Sequence, residues 1–211
     1  MLIGDVRGEI VETCRSLLAA GLIQGTSGNV SVRVGDIVAV TPSGVDYGAL
    51  TPELVGVHHL DGTPVDAPLR PTSELPLHLA IYAGTEASAI VHTHSTAAVA
   101  VSTLVTELPA IHYLTALFGG RIPVVPYATY GSLELARSTA RALHDGSGCL
   151  LANHGAVTIG TDLATARQKC VFLEWLSDVY LRASSAGRPR LLDHEEVIRV
   201  LEKITTTYGQ R

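Results

Sequence analysis

Two of the nine histidines, His92 and His94, stand one residue apart at the end of the apolar run "SAIVHTH". On an extended strand residues i and i+2 project from the same face, so their imidazoles lie side by side, within reach of one ion. A third, His154, closes another apolar stretch, "LLANHG", where a strand meets a turn, and Glu74 stands at the start of the helical segment "PTSELPLHLAIY". Three imidazoles and one carboxylate suit Zn2+ or a similar divalent ion, and such a set can keep a position open for water or substrate. Each histidine taken singly reads equally well as a hydrogen-bonded core residue. His58, His59, His78, His144 and His194 fall in turns or amphipathic segments without an evident companion and read as surface or packing residues.

Three turns add a second chemistry. "GTSGNVS" sets Thr26, Ser27 and Asn29 around two glycines, "TPSG" offers Ser43 and Gly44, and "PTSE" offers Thr72 and Ser73 at a helix start. Small residues let backbone N–H groups approach an anion closely, and a helix N-terminus favours a phosphate. Each turn also has an ordinary reading as a cap or loop. None is a Walker loop or dinucleotide fingerprint, because "GTSGNVS" leads into a hairpin rather than a helix. Ser73 adjoins Glu74, so a phosphorylated substrate held at one end would meet an ion at the other.

The elements that must position these groups follow from periodicity. Val6, Ile10, Val11, Cys14, Leu17 and Leu18 have helical spacing over residues 4–20 and end at Gly21. "VSVRV" and "IVAVT" alternate around Gly35-Asp36 and predict a tight hairpin. A short strand is expected from Val55 to Leu60, then a helix capped by Thr72 or Ser73 with Pro76 in its first turn. The strand carrying His92 and His94 leads to a helix capped by Ser95 and running to about Thr106. "IPVVPY" predicts a strand, "GSLELARSTARALHDG" a helix, "GCLLANHGAVTIG" two strands about a turn, and "DLATARQKCVFLEWLSDVYLRASSAG" a long helix, with a last helix over 193–205. Hairpins mixed with helices predict one α/β domain over residues 1–211, its mixed, mostly antiparallel central sheet covered by helices on both faces.

Composition narrows the function. Hydrophobic residues make up 46% and charged residues only 17%, as in a compact α/β protein with much surface buried, some of it between subunits. The net charge is −5 and the fifteen basic residues are scattered, which argues against a nucleic-acid or membrane partner. No signal segment or apolar run of membrane-spanning length is seen, so a cytoplasmic protein is expected. Cys14, Cys149 and Cys170 are odd in number and sit in apolar segments, which predicts reduced core thiols. Only Lys169 and Lys203 are lysines, and neither has a companion constellation for Schiff-base chemistry.

In their order and separations "GTSGNVSVR", "TPSG", "PTSELPLHLAIY", "VHTH" and "LANHG", with "LPAIHY", "RIPVVPYATYGS" and "VLEKITTTYG", resemble the class II aldolase/adducin-like family over nearly the whole chain. The resemblance implies that His92, His94, His154 and Glu74 bind Zn2+, Glu74 also serving as acid/base, and that Thr26, Asn29, Ser43, Gly44, Thr72 and Ser73 hold the substrate phosphate. It further implies that Tyr113 donates a proton in the site of a neighbouring subunit, that Tyr208 assists, and that the chain forms a homotetramer with sites at subunit interfaces. The Thr-Ser pair at 72 and 73 replaces two serines of the family pattern and retains both hydroxyls. The activity implied is aldol cleavage of a ketose 1-phosphate, such as L-fuculose 1-phosphate, to dihydroxyacetone phosphate and an aldehyde such as L-lactaldehyde. A pentulose-5-phosphate 4-epimerase, a methylthioribulose-1-phosphate dehydratase and a related sugar-acid phosphate decarboxylase share the resemblance. So does a non-catalytic adducin-like module, which would lack the ligand set.

Overall fold

The computed structural model describes residues 1–207. They form one mixed α/β domain around a nine-stranded sheet, with β1 (Asn29–Val34), β2 (Ile37–Val40), β3 (Gly56–His59), β4 (Pro64–Asp66), β5 (Ala89–Thr93), β6 (Glu107–Leu108), β7 (Ile122–Val125), β8 (Gly148–Leu151) and β9 (Gly155–Gly160). Their spatial order is β4-β3-β2-β1-β5-β9-β8-β7-β6. All neighbours pair antiparallel except β7 and β8, which are parallel. The helices are α1 (Gly4–Ala19), α2 (Leu75–Gly84), α3 (Thr96–Ser102), α4 (Leu133–Ala142), α5 (Leu163–Ala186) and α6 (His194–Thr207).

Strand alternation divides the interior into two faces. Ala89 and Val91 of β5 pack with Ile10, Cys14 and Leu17 of α1 and with Ala166 and Cys170 of α5. Ile90, between them, joins Val38 and Val40 on the opposite face, under Leu77 and Ile81 of α2 and Leu135 of α4. His92 follows Ile90 by two residues and therefore projects on the α2 side, while Thr93 turns toward Cys170 on the other. Helices thus cover both faces, as the hairpin-and-helix pattern predicts, and all three cysteines are buried and free.

Several local expectations need correction. Thr72 and Ser73 do not cap α2: Glu74 occupies the N-cap position without a side-chain cap bond, and the Thr72 hydroxyl accepts the Glu74 N–H at 3.2 Å. Ser95 sits at the N-cap of α3 but makes no cap bond, because the Glu174 carboxylate takes the N–H groups of Ala97 and Ala98 at 2.8 Å each. α3 stops at Ser102, short of the expected Thr106. The two edge strands β4 and β6, only three and two residues long, fall below what alternation reveals.

Two glycines show how closely the sheet end is packed. A Cβ on Gly28, whose φ is +80°, would stand 2.7 Å from the His92 carbonyl oxygen. One on Gly155 would stand 2.2 Å from the Thr93 carbonyl oxygen and 3.1 to 3.2 Å from the rings of His94 and His92. Gly8 in α1 has open space instead. Gly155→Ala is expected to lower stability in urea titration by about 1–3 kcal/mol, whereas Gly8→Ala should raise it by about 0.5–1 kcal/mol.

Candidate metal centre

The site assembles where β1, β5 and β9 end together. Asn29 pairs with His92 across β1 and β5, and His92 pairs with Val157 of β9. β5 ends at Thr93, so His94 lies just beyond the strand, and the turn from β8 to β9 lifts His154 over the same point. Asn153 makes that turn with φ of +57° and its N–H is fixed by the Ser102 hydroxyl. The three imidazoles form an almost equilateral triangle, with ring centroids 4.8 to 4.9 Å apart.

Glu74 arrives from the head of α2. Its Oε2 is 3.0 Å from His92 Nε2, and its Oε1 is 3.6 Å from His154 Nε2. One donor atom from each of Glu74, His92, His94 and His154 falls within 4.8 Å of all the others. His92 Nδ1 is 2.9 Å from the Ala156 carbonyl oxygen, which only accepts, so this nitrogen carries the proton and in the neutral ring Nε2 presents a lone pair. That lone pair faces a carboxylate oxygen at 3.0 Å and the His94 Nε2 at 3.0 Å. Donors of one sign converging in a buried place call for a cation between them, or for added protons. Glu74 Oε1, buried and without a hydrogen-bond partner, points to the same need. These residues fit a divalent ion, and a carbonyl fixing the far nitrogen of a ligating histidine is the usual outer support of such a centre.

Titration follows from the same geometry. Burial raises the Glu74 carboxyl, but the charge and hydrogen bond of His92 and the Asn29 amide together bring it far below the ordinary carboxylate range. Burial opposes a charge on His92, which the Glu74 carboxylate overcomes, so its pKa rises. Burial, reinforced by His92, pushes His94 down to about 3 and His154 down to about 4.

A cavity of about 330 Å3 opens onto this cluster. Glu74, His94 and His154 line it together with Thr26, Ser27, Gly28, Asn29, Ser43, Gly44, Thr72 and Ser73. All six residues expected at a phosphate are therefore gathered beside the four expected at a metal. Tyr113 is not: it lies on a short 3-10 turn (Tyr113–Phe118), 48% exposed, beside His112, whose ring also meets Trp175. Tyr208 lies outside the described residues.

Sequence reasoning missed Tyr127, Tyr130 and Asn153, which also line the cavity. Tyr127 precedes and Tyr130 lies in a turn of "VVPYATYGS", a stretch whose polar and aromatic spacing matches no chemical pattern. His78, expected to be a packing residue without a companion, is fully buried and bonded to Asn29 and Ser31. Its place four residues after Glu74, on the same helix face, was the available signal.

A model of the class II aldolase and adducin N-terminal domain matches residues 8–181. The chain belongs to that family. It is 39% identical over 206 residues to an L-fuculose phosphate aldolase of Escherichia coli K12, covering 96% of this chain and 95% of that one. It is 36% identical over 214 residues to a 5-deoxy-D-ribulose 1-phosphate aldolase of Bacillus thuringiensis serovar kurstaki, over the full length of both. A solved structure of an L-fuculose 1-phosphate aldolase superposes with a TM-score of 0.94 at 34% identity, covering 97% of this chain and 98% of that one. The chain is thus an enzyme of the lyase class with a Glu/His3 group able to hold a metal. Among the described residues no helix is long and apolar enough to cross a membrane.

The pKa directions give a testable sign for the metal-free protein. His94 and His154 take up protons in the unfolded chain near pH 6.5 but resist them when folded. Their contribution is fully present above pH 6.5 and is lost as pH falls toward 4 and 3. His92 has the opposite sign, its contribution being lost as pH rises through its raised value. The urea midpoint of metal-free protein should fall between pH 6.5 and 4, and a flat midpoint would contradict these burial effects. Metal analysis of purified protein should find about one divalent ion per chain, lost in His92→Ala and His94→Ala.

Proposed function

We propose that this enzyme is a Zn2+-dependent aldolase that reversibly cleaves a ketose 1-phosphate, such as L-fuculose 1-phosphate, to dihydroxyacetone phosphate and an aldehyde such as L-lactaldehyde. The observation that carries the reading is the shared cavity, lined both by Glu74, His94 and His154 and by the hydroxyl- and glycine-rich turns. Full-length similarity to aldolases named for two different ketose 1-phosphates supports the class of substrate.

Glu74, His92, His94 and His154 would hold the ion, which supplies a Lewis acid for the negative charge left on the ketone fragment when the C–C bond breaks. Thr26, Asn29, Ser43, Gly44, Thr72 and Ser73 bind the phosphate and thereby set the distance of the reacting carbons from Glu74. In the synthetic direction Glu74 removes a proton from dihydroxyacetone phosphate, and cleavage returns it. Glu74 suits this task because its Oε1 has no hydrogen-bond partner while Oε2 is held by Asn29. A Schiff-base route is unsupported, since no lysine lines the cavity and Lys169 donates to the Ile159 carbonyl elsewhere.

Tyr113 protonates the aldehyde oxygen in the site of a neighbouring subunit, and Tyr208 assists. The support for the first is that Tyr113 stands half exposed beside His112, whose ring also meets the 42% exposed Trp175, away from its own chain's cavity. A homotetramer with sites at its subunit interfaces meets that requirement. Free, buried cysteines suit a reducing cytoplasm.

Incubation with L-fuculose 1-phosphate and with 5-deoxyribulose 1-phosphate should release dihydroxyacetone phosphate from at least one, read by a coupled reduction. Glu74→Gln should slow release by about 10²–10⁴-fold. Isomerisation of a pentulose 5-phosphate with no triose product would instead identify an epimerase.

A further inference from the structure

Behind Glu74 runs a buried row of polar side chains. At the head and along one face of α2, Glu74, His78 and Tyr82 stand four residues apart, and along β1 Asn29, Ser31 and Arg33 stand two apart. Four helical residues advance about 6 Å and two strand residues about 6.6 Å, so the rows stay in step. Asn29 meets Glu74 and His78, Ser31 meets His78 and Tyr82, and Arg33 closes the row by donating to the Tyr82 carbonyl at 3.1 Å.

The row has a direction. An ionised carboxylate only accepts, so the 2.9 Å contact to Glu74 Oε2 is made by the Asn29 Nδ2–H. Asn29 Oδ1 then faces His78 Nε2 at 2.5 Å, and that nitrogen must carry the proton. Nδ1 of the neutral ring is a lone pair, which takes the Ser31 hydroxyl at 2.6 Å. Ser31 Oγ in turn accepts from the Tyr82 hydroxyl at 2.7 Å.

The surroundings make this row costly as mere packing. Val38, Val40, Leu77, Ile81 and Ile90 fill the same core, where an apolar set would avoid desolvating hydroxyl, amide and imidazole groups. The Asn29 amide also has a wrong orientation: flipped, its oxygen would oppose the carboxylate. A donor at His78 Nε2 adds a second penalty, since the flipped amide would turn its N–H groups toward that N–H.

We propose that His78, backed by Ser31 and Tyr82, is a positioning residue for Glu74. Its Nε2–H holds the Asn29 amide nitrogen toward Oε2 and so aims Oε1 at the ion and the reacting proton. The inference rests on the reading of Glu74 as metal ligand and acid/base. None of His78, Ser31 and Tyr82 lines the site cavity, so they act through Asn29.

The test compares His78→Leu, His78→Gln and Ser31→Ala with the wild-type full chain, reading Zn2+ affinity by chelator competition and steady-state kinetics on the ketose 1-phosphate that the wild type cleaves. His78→Leu should lower kcat and Zn2+ affinity by about 10–100-fold each, with KM unchanged. His78→Gln, whose amide can donate from the place of Nε2, should recover most of both. Equal impairment of the Leu and Gln variants, or a loss carried by KM, would overturn the proposal. Should His78→Leu fail to fold, Ser31→Ala decides: a fall in kcat at constant KM supports it, and wild-type values for kcat and Zn2+ affinity refute it. Long-range 1H–15N spectra of metal-free wild type should place the His78 proton on Nε2, and a proton on Nδ1 would overturn the relay. A wild-type chain that neither binds Zn2+ nor releases triose phosphate sinks the reading of the site itself, visibly apart from the tautomer result.

Discussion

Four electron-pair donors, three imidazole nitrogens and a carboxylate, are brought to one buried point, and their mutual repulsion is the constraint around which the end of the sheet is built. Bringing a carboxylate out of water costs several kcal/mol unless something positive faces it. In this chain the opposing charge comes from a proton on His92 or from a bound cation. The Ala156 carbonyl weighs that choice, because it fixes the proton on Nδ1 and leaves Nε2 facing Glu74. A second proton on His92 faces the Glu74 carboxylate but leaves the rings of His94 and His154 crowded against it.

Backbone close-packing serves this convergence. β1, β5 and β9 end at the same level, in a register that sets Asn29 opposite His92 and His92 opposite Val157. Gly28 and Gly155 let neighbouring strands approach where a methyl group would strike a carbonyl of residue 92 or 93. The helix side supplies Glu74, whose carboxylate makes no cap bond and reaches the cluster instead. The turns of "GTSGNVS", "TPSG" and "PTSE" then close one wall of the cavity, so that ion and anion would share a single concave space.

The two faces of the sheet divide labour. On the α1 and α5 face an apolar cluster carries stability, and the buried hydroxyls of Thr93 and Thr158 there bond to Cys170 and Ala166. On the α2 face an apolar layer is crossed by the row from Tyr82 to Glu74, every member of which finds a partner in the next. Neutral groups make up the row behind the carboxylate, so it orients without adding charge to a region already crowded with donors.

Composition, periodicity and motif order determined a large part of this protein in advance. The 3.6- and 2-residue patterns of local segments marked the helices, the hairpins and the mostly antiparallel sheet, because burial of one face writes itself into sequence spacing. The His-x-His pair was legible for the same reason, as strand geometry alone puts two imidazoles on one side. What sequence spacing cannot express is distance between remote elements. Glu74, His92 and His154 come from a helix head, a strand end and a hairpin turn, and only β pairing and the docking of α2 decide that they meet. Caps were misread at Thr72, Ser73 and Ser95 because local propensity was overruled by a partner far along the chain, Glu174, or by a neighbouring turn. His78 looked solitary because its companions, Asn29 and Ser31, lie more than forty residues away on a strand. Tertiary structure turned it from a packing histidine into the link that joins the core to the site.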